Sequence, residues 1–426
     1  MSIISVEHSD PLRGSVAVCG SKNAVLPLLA ATLLSEDECI ISEAPDLKDV
    51  EIMCALLRSF GAETSFDKKA KIIKVKAANI TTNEAREELV CQMRASIVTM
   101  GPLLARTGRA RFPLPGGCAI GDRPIDLHLK GFIAMGANVV MSKDETKSGF
   151  VEADAERLGG GDIYLDTPSV GATQNIMLAA VLAKGTVIIE NAAHEPEVVD
   201  LANFLNKMGA RIKGAGTDII KIEGVAKLHG AVHSVIPDRI EAGTYMIAAA
   251  ITRGDVTIEN ALSNHLKPVI AKLRETGAEV VDGEGFIRVK ADGGRLVSTD
   301  IKTLPYPGFP TDMQPQFMAY LTTVSGPSAV LETVFENRFM HIAELNKMGA
   351  GIILKEERRA IIPGGSRLAG AGVKATDLRA GAALILAGLA AEGVTTVSDI
   401  YHIERGYSDI CGKLSSIGGK IAKVDE

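Results

Sequence analysis

One short phrase recurs six times along the 426-residue chain: an amphipathic segment that closes on a hydrophobic residue (Thr276 in one copy) followed by Gly-Ala or Gly-Gly. It reads LLRSFGAE, FIAMGANV, LNKMGARI, LRETGAEV, LNKMGAGI and LSSIGGKI, with its glycine at Gly61, Gly136, Gly209, Gly277, Gly349 and Gly418. Successive glycines lie 68–75 residues apart, so six units of about 70 residues account for the whole chain. That period is too long for a solenoid, whose repeats run to roughly 20–50 residues. Each unit is therefore expected to be a small α+β layer. A glycine just past a helix suits a left-handed C-cap.

The order inside a unit is shared too. A very apolar helical stretch comes first, as in NAVLPLLAATLL, ATQNIMLAAVLAK, AGTYMIAAAITR and AALILAGLAAE. A turn and a strand follow, as in GTVIIENA, GDVTIENA, SAVLETVF and GVTTVSDI. A more polar helix then leads to the glycine, and a short strand such as RIKGAG or AEVVDG comes after it. A helix that is apolar nearly all round belongs inside a fold, and an ordinarily amphipathic one belongs outside or between sheets. Six buried helices surrounded by sheets predict an α/β (α+β) protein. Its units form either two pseudo-threefold domains with the helices inside, or one elongated stack.

Polar residues gather at the N-termini of the six apolar helices: Ser21-Lys22-Asn23, Gln92-Met93-Arg94, Ser169-Val170-Gly171, Arg239-Ile240-Glu241, Thr311-Asp312 and Thr376-Asp377-Leu378-Arg379. Helix N-termini present unpaired N–H groups and a partial positive charge, so they attract anions. Lys22, Arg94, Arg239 and Arg379 add full charges at the same repeat phase. Any single one of these reads equally as a cap or a solvated helix start. Their recurrence points to a small phosphorylated or carboxylated substrate.

The second unit breaks the pattern. Between Arg111 and Asp126 it carries RFPLPGGCAIGDRPID, a Gly- and Pro-rich insertion expected to be an exposed loop. A thiol on such a loop near Arg123 is either activated by the positive charge or an inert cysteine at a hinge.

Composition removes other classes. With 46 basic and 52 acidic residues the formal charge is −6, and tryptophan is absent. A nucleic-acid module leans basic and supplies aromatic platforms, so nucleic acid is not an expected partner. The six cysteines form no CxxC pair, which argues against a disulfide framework or zinc site and for a reduced, cytoplasmic protein. The opening MSIISVEHSDPLRG lacks the features of a signal peptide, and no apolar run reaches the ~18 residues of a membrane span.

The phrases KNAVLP, MRAS, LPGGCAIGDRPIDLH, SVGAT, ENAAHEPEVVD, PDRIEAGT, FPTDMQ, ENRFMH, ATDLRA and YHIERGY, in that order over essentially the whole length, resemble the UDP-N-acetylglucosamine 1-carboxyvinyltransferases, a family of enoylpyruvate transferases. The resemblance implies two inside-out α/β domains of three units each, with the active site in the cleft between them. It places the domains at 22–236 and at 1–21 plus 237–426, with chain crossings near Cys19–Ser21 and Val235–Arg239. It implies transfer of the enolpyruvyl group of phosphoenolpyruvate to the 3-hydroxyl of UDP-N-acetylglucosamine, with no metal and no cofactor. The related enzyme acting on shikimate 3-phosphate and a non-catalytic UDP-sugar sensor are the competing readings. The Cys118 loop with RPIDLH argues against the first, and the presence of both Cys118 and Asp312 against the second.

Carried over by motif, Cys118 is the thiol acid and the residue alkylated by fosfomycin, and Asp312 is the base for the sugar hydroxyl. Lys22, Arg94, Arg123, Arg338, Arg379 and Arg405 form the cationic clamp for phosphate and carboxylate, with Lys22 and Arg405 also counted as catalytic. Asn23, Arg94, Arg123, Pro124, Asp126, Leu127, Ser169, Val170, Gly171, Asp312, Val334 and Phe335 contact the nucleotide sugar, and Asp377 supports the clamp. The loop over 110–122 is expected to close on phosphoenolpyruvate. Gln92 and Thr167 depart from the family, which has lysines there in some members; both bear on nucleotide affinity and not on the chemistry.

Overall fold

In a computed structural model of the protein, residues 2–114, 125–142 and 149–425 are described. They separate into two compact units. The inner unit holds residues 20–114, 125–142 and 149–236; the terminal unit holds 2–19 and 237–425. Each has its own hydrophobic core, one drawn from Ala24 to Val235 and the other from Ile4 to Val18 with Ile240 to Ile421.

The apolar stretches are the central helices. In the terminal unit they are Arg239–Ile251, Gln314–Thr323 and Leu378–Ala390, and the three pack on one another pairwise. In the inner unit they are Lys22–Ala31, Met100–Thr107 and Val170–Ala180. The middle one opens as a 3₁₀ turn, Arg94–Thr99, which touches both of its neighbours. Small residues on every face, as in the Ala248, Ala249, Ala250 run, let these helices approach closely, and that run is fully buried.

Around the helices stand small sheets, five four-stranded and one three-stranded among the described residues. A representative sheet pairs Val232–Ser234 parallel to Glu38–Ser42, which runs antiparallel to Ile72–Lys76, itself antiparallel to Glu63–Asp67. The parallel edge strand comes from the third repeat of the inner unit, so that unit closes on itself. In the three-stranded sheet a lone parallel bridge, Glu84 to Arg111, stands where the edge strand would be.

The sixth repeat is completed from the other end of the chain. Val394–Ser398 pairs antiparallel with Ser2–Glu7, which pairs antiparallel with Ile421–Asp425. Ile4 lies opposite Val397 and Lys423, and Ile4 and Val6 face the core while Ser5 and Glu7 are more exposed, as a period of two requires.

All six repeat glycines are left-handed, with φ between +87° and +104°. Two residues before each stands a carbonyl still inside the helix, and the residue after the glycine donates back to the Leu or Phe five positions earlier: Ala62 to Leu57, Ala137 to Phe132, Ala210 to Leu205, Ala278 to Leu273, Ala350 to Leu345 and Gly419 to Leu414, at 2.9–3.2 Å. This is the six-to-one bond of a Schellman cap, and it requires the positive φ that glycine adopts without steric cost. No helix among the described residues is long and apolar enough to cross a membrane.

Candidate active site

In the terminal unit, three sequence-predicted residues are in direct contact. Asp312 sits on the 3₁₀ turn Thr311–Met313 that opens the central helix Gln314–Thr323. Its Oδ1 accepts from Arg338 Nη2 at 3.0 Å, and its Oδ2 from Arg379 Nη2 at 3.1 Å and Nε at 3.3 Å. The side chains of Arg338 and Arg379 are only 2% and 3% exposed, while that of Asp312 is 26% exposed. Two guanidiniums taken out of water thus share one carboxylate that still faces solvent. Buried charge must be paired, and here two cations share a single carboxylate. The buried Nε of Arg338 has no partner among the described residues.

Local structure fixes both arginines. Asp377 is the N-cap of Leu378–Ala390: its Oδ1 accepts from the backbone N–H of Arg379 at 2.8 Å and of Ala380 at 3.1 Å. It therefore holds the backbone that carries Arg379. The Arg379 guanidinium lies 5.5 Å from the Tyr407 ring centre. Burial opposes its charge, but Tyr407, Asp312 and Asp238 outweigh burial and hold it above its ordinary value. Tyr407 is itself fixed by Thr244, hydroxyl to hydroxyl at 2.8 Å, and by the Gln316 amide at 3.3 Å.

Val334 and Phe335, expected at the sugar, are placed by a residue that sequence reasoning missed. Glu332 is fully buried and its Oε1 accepts from the backbone N–H of Val334 at 2.8 Å, of Phe335 at 3.2 Å and from Thr303 Oγ1 at 2.8 Å. Its Oε2 accepts from Thr311 Oγ1 at 3.0 Å, so one carboxylate ties the Asp312 turn to the 334–335 turn. The Phe335 ring lies 5.7 Å from the Arg338 guanidinium. Arg405 follows the short helix Tyr401–Glu404 and is half-buried. Burial first, then its charge, pushes the neighbouring His402 imidazole down.

The inner unit gathers a second set. Lys22 is the first residue of its helix, and its Nζ meets Asp49 Oδ2 at 2.8 Å; the lysine side chain is 12% exposed and the aspartate 1%. Asp49, on the outer helix Lys48–Ser59, is another partner that the sequence did not point out. Asn23 follows Lys22 and is half-buried. Arg94 opens the next central element and sits close enough to His128 to depress it. His128 rides on Asp126–Ala134, whose first turn presents exposed Asp126 and half-buried Leu127.

His128 is the hub of this set. Asn175 Oδ1 accepts from the Gly101 N–H at 2.8 Å, so the Asn175 amide nitrogen is the donor to His128 Nδ1 at 2.9 Å and to the Ile97 carbonyl at 3.0 Å. That assignment puts the imidazole proton on Nε2. Burial, with Arg94 adding to it, pushes His128 down to about 4, which keeps it neutral. Its ring lies under Gly171, where an added Cβ would come within 3.3 Å of Cε1. Ser169 caps the same helix, its Oγ accepting from the Ala172 N–H at 3.3 Å. The helix start Ser169-Val170-Gly171 is thus a built anion-attracting end backed by a neutral histidine.

Cys118, Arg123 and Pro124, with most of the loop over 110–122, lie outside the described residues. Gln92 donates to the backbone carbonyl of Glu88 at 2.6 Å, and Thr167 is exposed. Among the described residues no three His, Cys, Asp or Glu side chains are grouped as a metal site.

A family profile described as EPSP synthase (3-phosphoshikimate 1-carboxyvinyltransferase) matches residues 6–414. The chain is also 58% identical over 416 residues to UDP-N-acetylglucosamine 1-carboxyvinyltransferase 1 of Caldanaerobacter subterraneus subsp. tengcongensis, covering 98% of each chain. It belongs to the UDP-N-acetylglucosamine 1-carboxyvinyltransferase family. A second relative of that name, from Finegoldia magna, is 56% identical and spans 100% of this chain and 99% of its own. Among solved structures, the enolpyruvyl transferase NikO from Streptomyces tendae superposes with a TM-score of 0.88 at 25% identity over 99% of each chain. EPSP synthase from Acinetobacter baumannii superposes at 0.76 with 18% identity over 100% of each chain, a likeness of fold alone. The fold is thus shared across enolpyruvyl transferases, and the sequence identity places this chain in the UDP-N-acetylglucosamine 1-carboxyvinyltransferase family within them.

Proposed function

We propose that this chain transfers the enolpyruvyl group of phosphoenolpyruvate to the 3-hydroxyl of UDP-N-acetylglucosamine and releases phosphate. The observation that carries the reading is the Asp312 carboxylate bracketed by buried Arg338 and Arg379, in a chain 58% identical to a protein named for that reaction. In the addition step, C3 of phosphoenolpyruvate gains a proton while the sugar oxygen bonds to C2. In the elimination step, C3 loses a proton and the C2–O bond to phosphate breaks. The chemistry needs an acid, a base and a clamp for two anionic groups.

Cys118 serves as the acid and Asp312 as the base. Lys22, Arg94, Arg123, Arg338, Arg379 and Arg405 hold the phosphate and carboxylate. Asn23, Pro124, Asp126, Leu127, Ser169, Val170, Gly171, Val334 and Phe335 hold the nucleotide sugar. The half-exposed position of Asp312 beside two fully buried cations supports this division: a dianionic substrate competes for the guanidiniums and releases the carboxylate to take a proton. The product is a precursor of peptidoglycan, made in the cytoplasm, so the reaction serves wall growth, cell shape and division. Fosfomycin is expected to alkylate Cys118.

A phosphate-release assay with phosphoenolpyruvate and either UDP-N-acetylglucosamine or shikimate 3-phosphate tests the reading. Release is expected with the nucleotide sugar alone. Release with shikimate 3-phosphate, or with neither acceptor, would overturn it.

A further inference from the structure

A third polar cluster lies in the terminal unit, apart from the residues assigned above. Cys19 follows the strand Arg13–Ala17 and is half-buried. Its sulfur lies 3.1 Å from Lys413 Nζ, and Lys413 Nζ lies 2.6 Å from Glu241 Oε1. Glu241 Oε2 accepts from the Cys19 backbone N–H at 2.7 Å, and Tyr245 donates to Oε1 at 3.3 Å. The Lys413 side chain is 19% exposed and that of Glu241 3%. Thiol, amine and carboxylate are therefore locked in one geometry, with Cys19 half-buried and not closed off.

The other described thiols lack this setting. Cys39 and Cys54 are buried, and burial pushes Cys54 up to about 11; Cys411 is pushed up to about 11 by burial and then by Asp409. Of the described cysteines, Cys19 alone has an ammonium within hydrogen-bond distance. An adjacent cation favours the thiolate, which is the form that reacts with peroxides.

We infer that Cys19 and Lys413 form a reversible covalent bridge when the protein meets a hydroperoxide. In the first step the Cys19 thiolate attacks a peroxide oxygen: an S–O bond forms, the O–O bond breaks, water leaves after protonation, and the sulfur is oxidised to the sulfenic acid. In the second step Lys413 passes a proton to Glu241, and its neutral nitrogen attacks the sulfur. An S–N bond forms, the S–O bond breaks, and hydroxide leaves as water with the proton from nitrogen. The 3.1 Å separation already falls in the near-attack range of roughly 3–3.5 Å. Burial pushes the Glu241 carboxyl up even against Lys413; burial also opposes the Lys413 charge, but Glu241 and Cys19 outweigh it and hold the ammonium above its ordinary value, so this proton transfer is the uphill step. A thiol reductant reverses the link by attacking the sulfur.

The full-length protein treated with one equivalent of hydrogen peroxide and mapped without reductant tests this. A joined peptide holding Cys19 and Lys413, lighter by two hydrogens and lost on adding dithiothreitol, is expected. Cys19→Ser should give no such peptide. Lys413→Arg keeps the charge beside Glu241 but cannot close the bridge, so its Cys19 should stop at the sulfenic acid and react with dimedone about tenfold more than wild type. Wild-type Cys19 that is recovered unmodified, or is trapped by dimedone as fully as in Lys413→Arg, would overturn the bridge. Should Lys413→Arg fail to fold, the wild type against Cys19→Ser decides alone.

Discussion

Asp312 has two duties that pull in opposite directions. Without substrate its oxygens balance Arg338 and Arg379, and in the reaction we propose one of them accepts a proton. Asp312→Asn removes the charge with little change in shape, so the two effects can be read apart. Leaving two buried guanidiniums facing a neutral amide is expected to lower stability, since breaking a buried ion pair costs about 3–5 kcal/mol. Losing a general base is expected to cut kcat by roughly 10²–10⁴-fold, and the affinity for phosphoenolpyruvate should not fall, because the carboxylate competes for the clamp. Stopped-flow or coupled phosphate release at a temperature where the variant stays folded measures this; a loss of kcat under about tenfold would remove Asp312 as the base. At this scale the sequence made the charged residues visible because they recur at helix starts, where their position has a physical meaning. It hid Glu332, Asp49, Tyr407 and Asn175, which matter through contacts to residues far along the chain, such as Asn175 with His128 and Glu332 with Thr303 and Thr311.

At the scale of elements, the repeat was readable because one geometric demand leaves one chemical trace. A Schellman cap needs a positive φ, and glycine meets it cheaply six times over. Gly136 isolates that demand, since a Cβ built there meets nothing within 4 Å while φ is +91°. Gly136→Ala is therefore expected to cost about 1–2 kcal/mol from backbone strain alone, with no steric clash to confuse the result. Urea melts of the two proteins check it, and an unchanged midpoint at unchanged slope would refute it. The apolar helices were equally legible, because burial on every face shows as a run without a polar stripe. The opening of the second central helix as the 3₁₀ turn Arg94–Thr99 was not legible: nothing in RASIVT distinguishes it from the start of an α-helix, and the turn is settled by packing between two neighbours. In the sixth repeat Ile421–Asp425 pairs with Ser2–Glu7 from the other terminus, a pairing that no local pattern in either segment announces.

For the molecule as a whole, each of the two cores keeps a histidine neutral. His128 in the inner unit is pushed down to about 4 by burial and then by Arg94. His341 in the terminal unit, fully buried with Nε2 3.3 Å from the Met318 sulfur, is pushed down to about 4 by burial, with Arg338 adding and Asp377 opposing. An unfolded histidine takes its proton near 6.5, whereas these take theirs only near 4. Between those values the unfolded chain binds more protons, so stability is full above about 6.5 and falls as pH drops toward 4. Each histidine contributes a slope of about 1.4 kcal/mol per pH unit, or a few kcal/mol across the window. Glu241 runs the other way: burial pushes its carboxyl up, so protonation relieves a cost as pH falls, and it lies in the terminal unit with His341. His128→Asn keeps an acceptor for the Asn175 amide but cannot titrate, so between pH 6.5 and 4 its melting temperature should fall less steeply than that of the wild type, whatever its starting value. Calorimetric scans at stepped pH measure the two slopes, and parallel slopes would mean that His128 is not the group whose protonation opens the inner core.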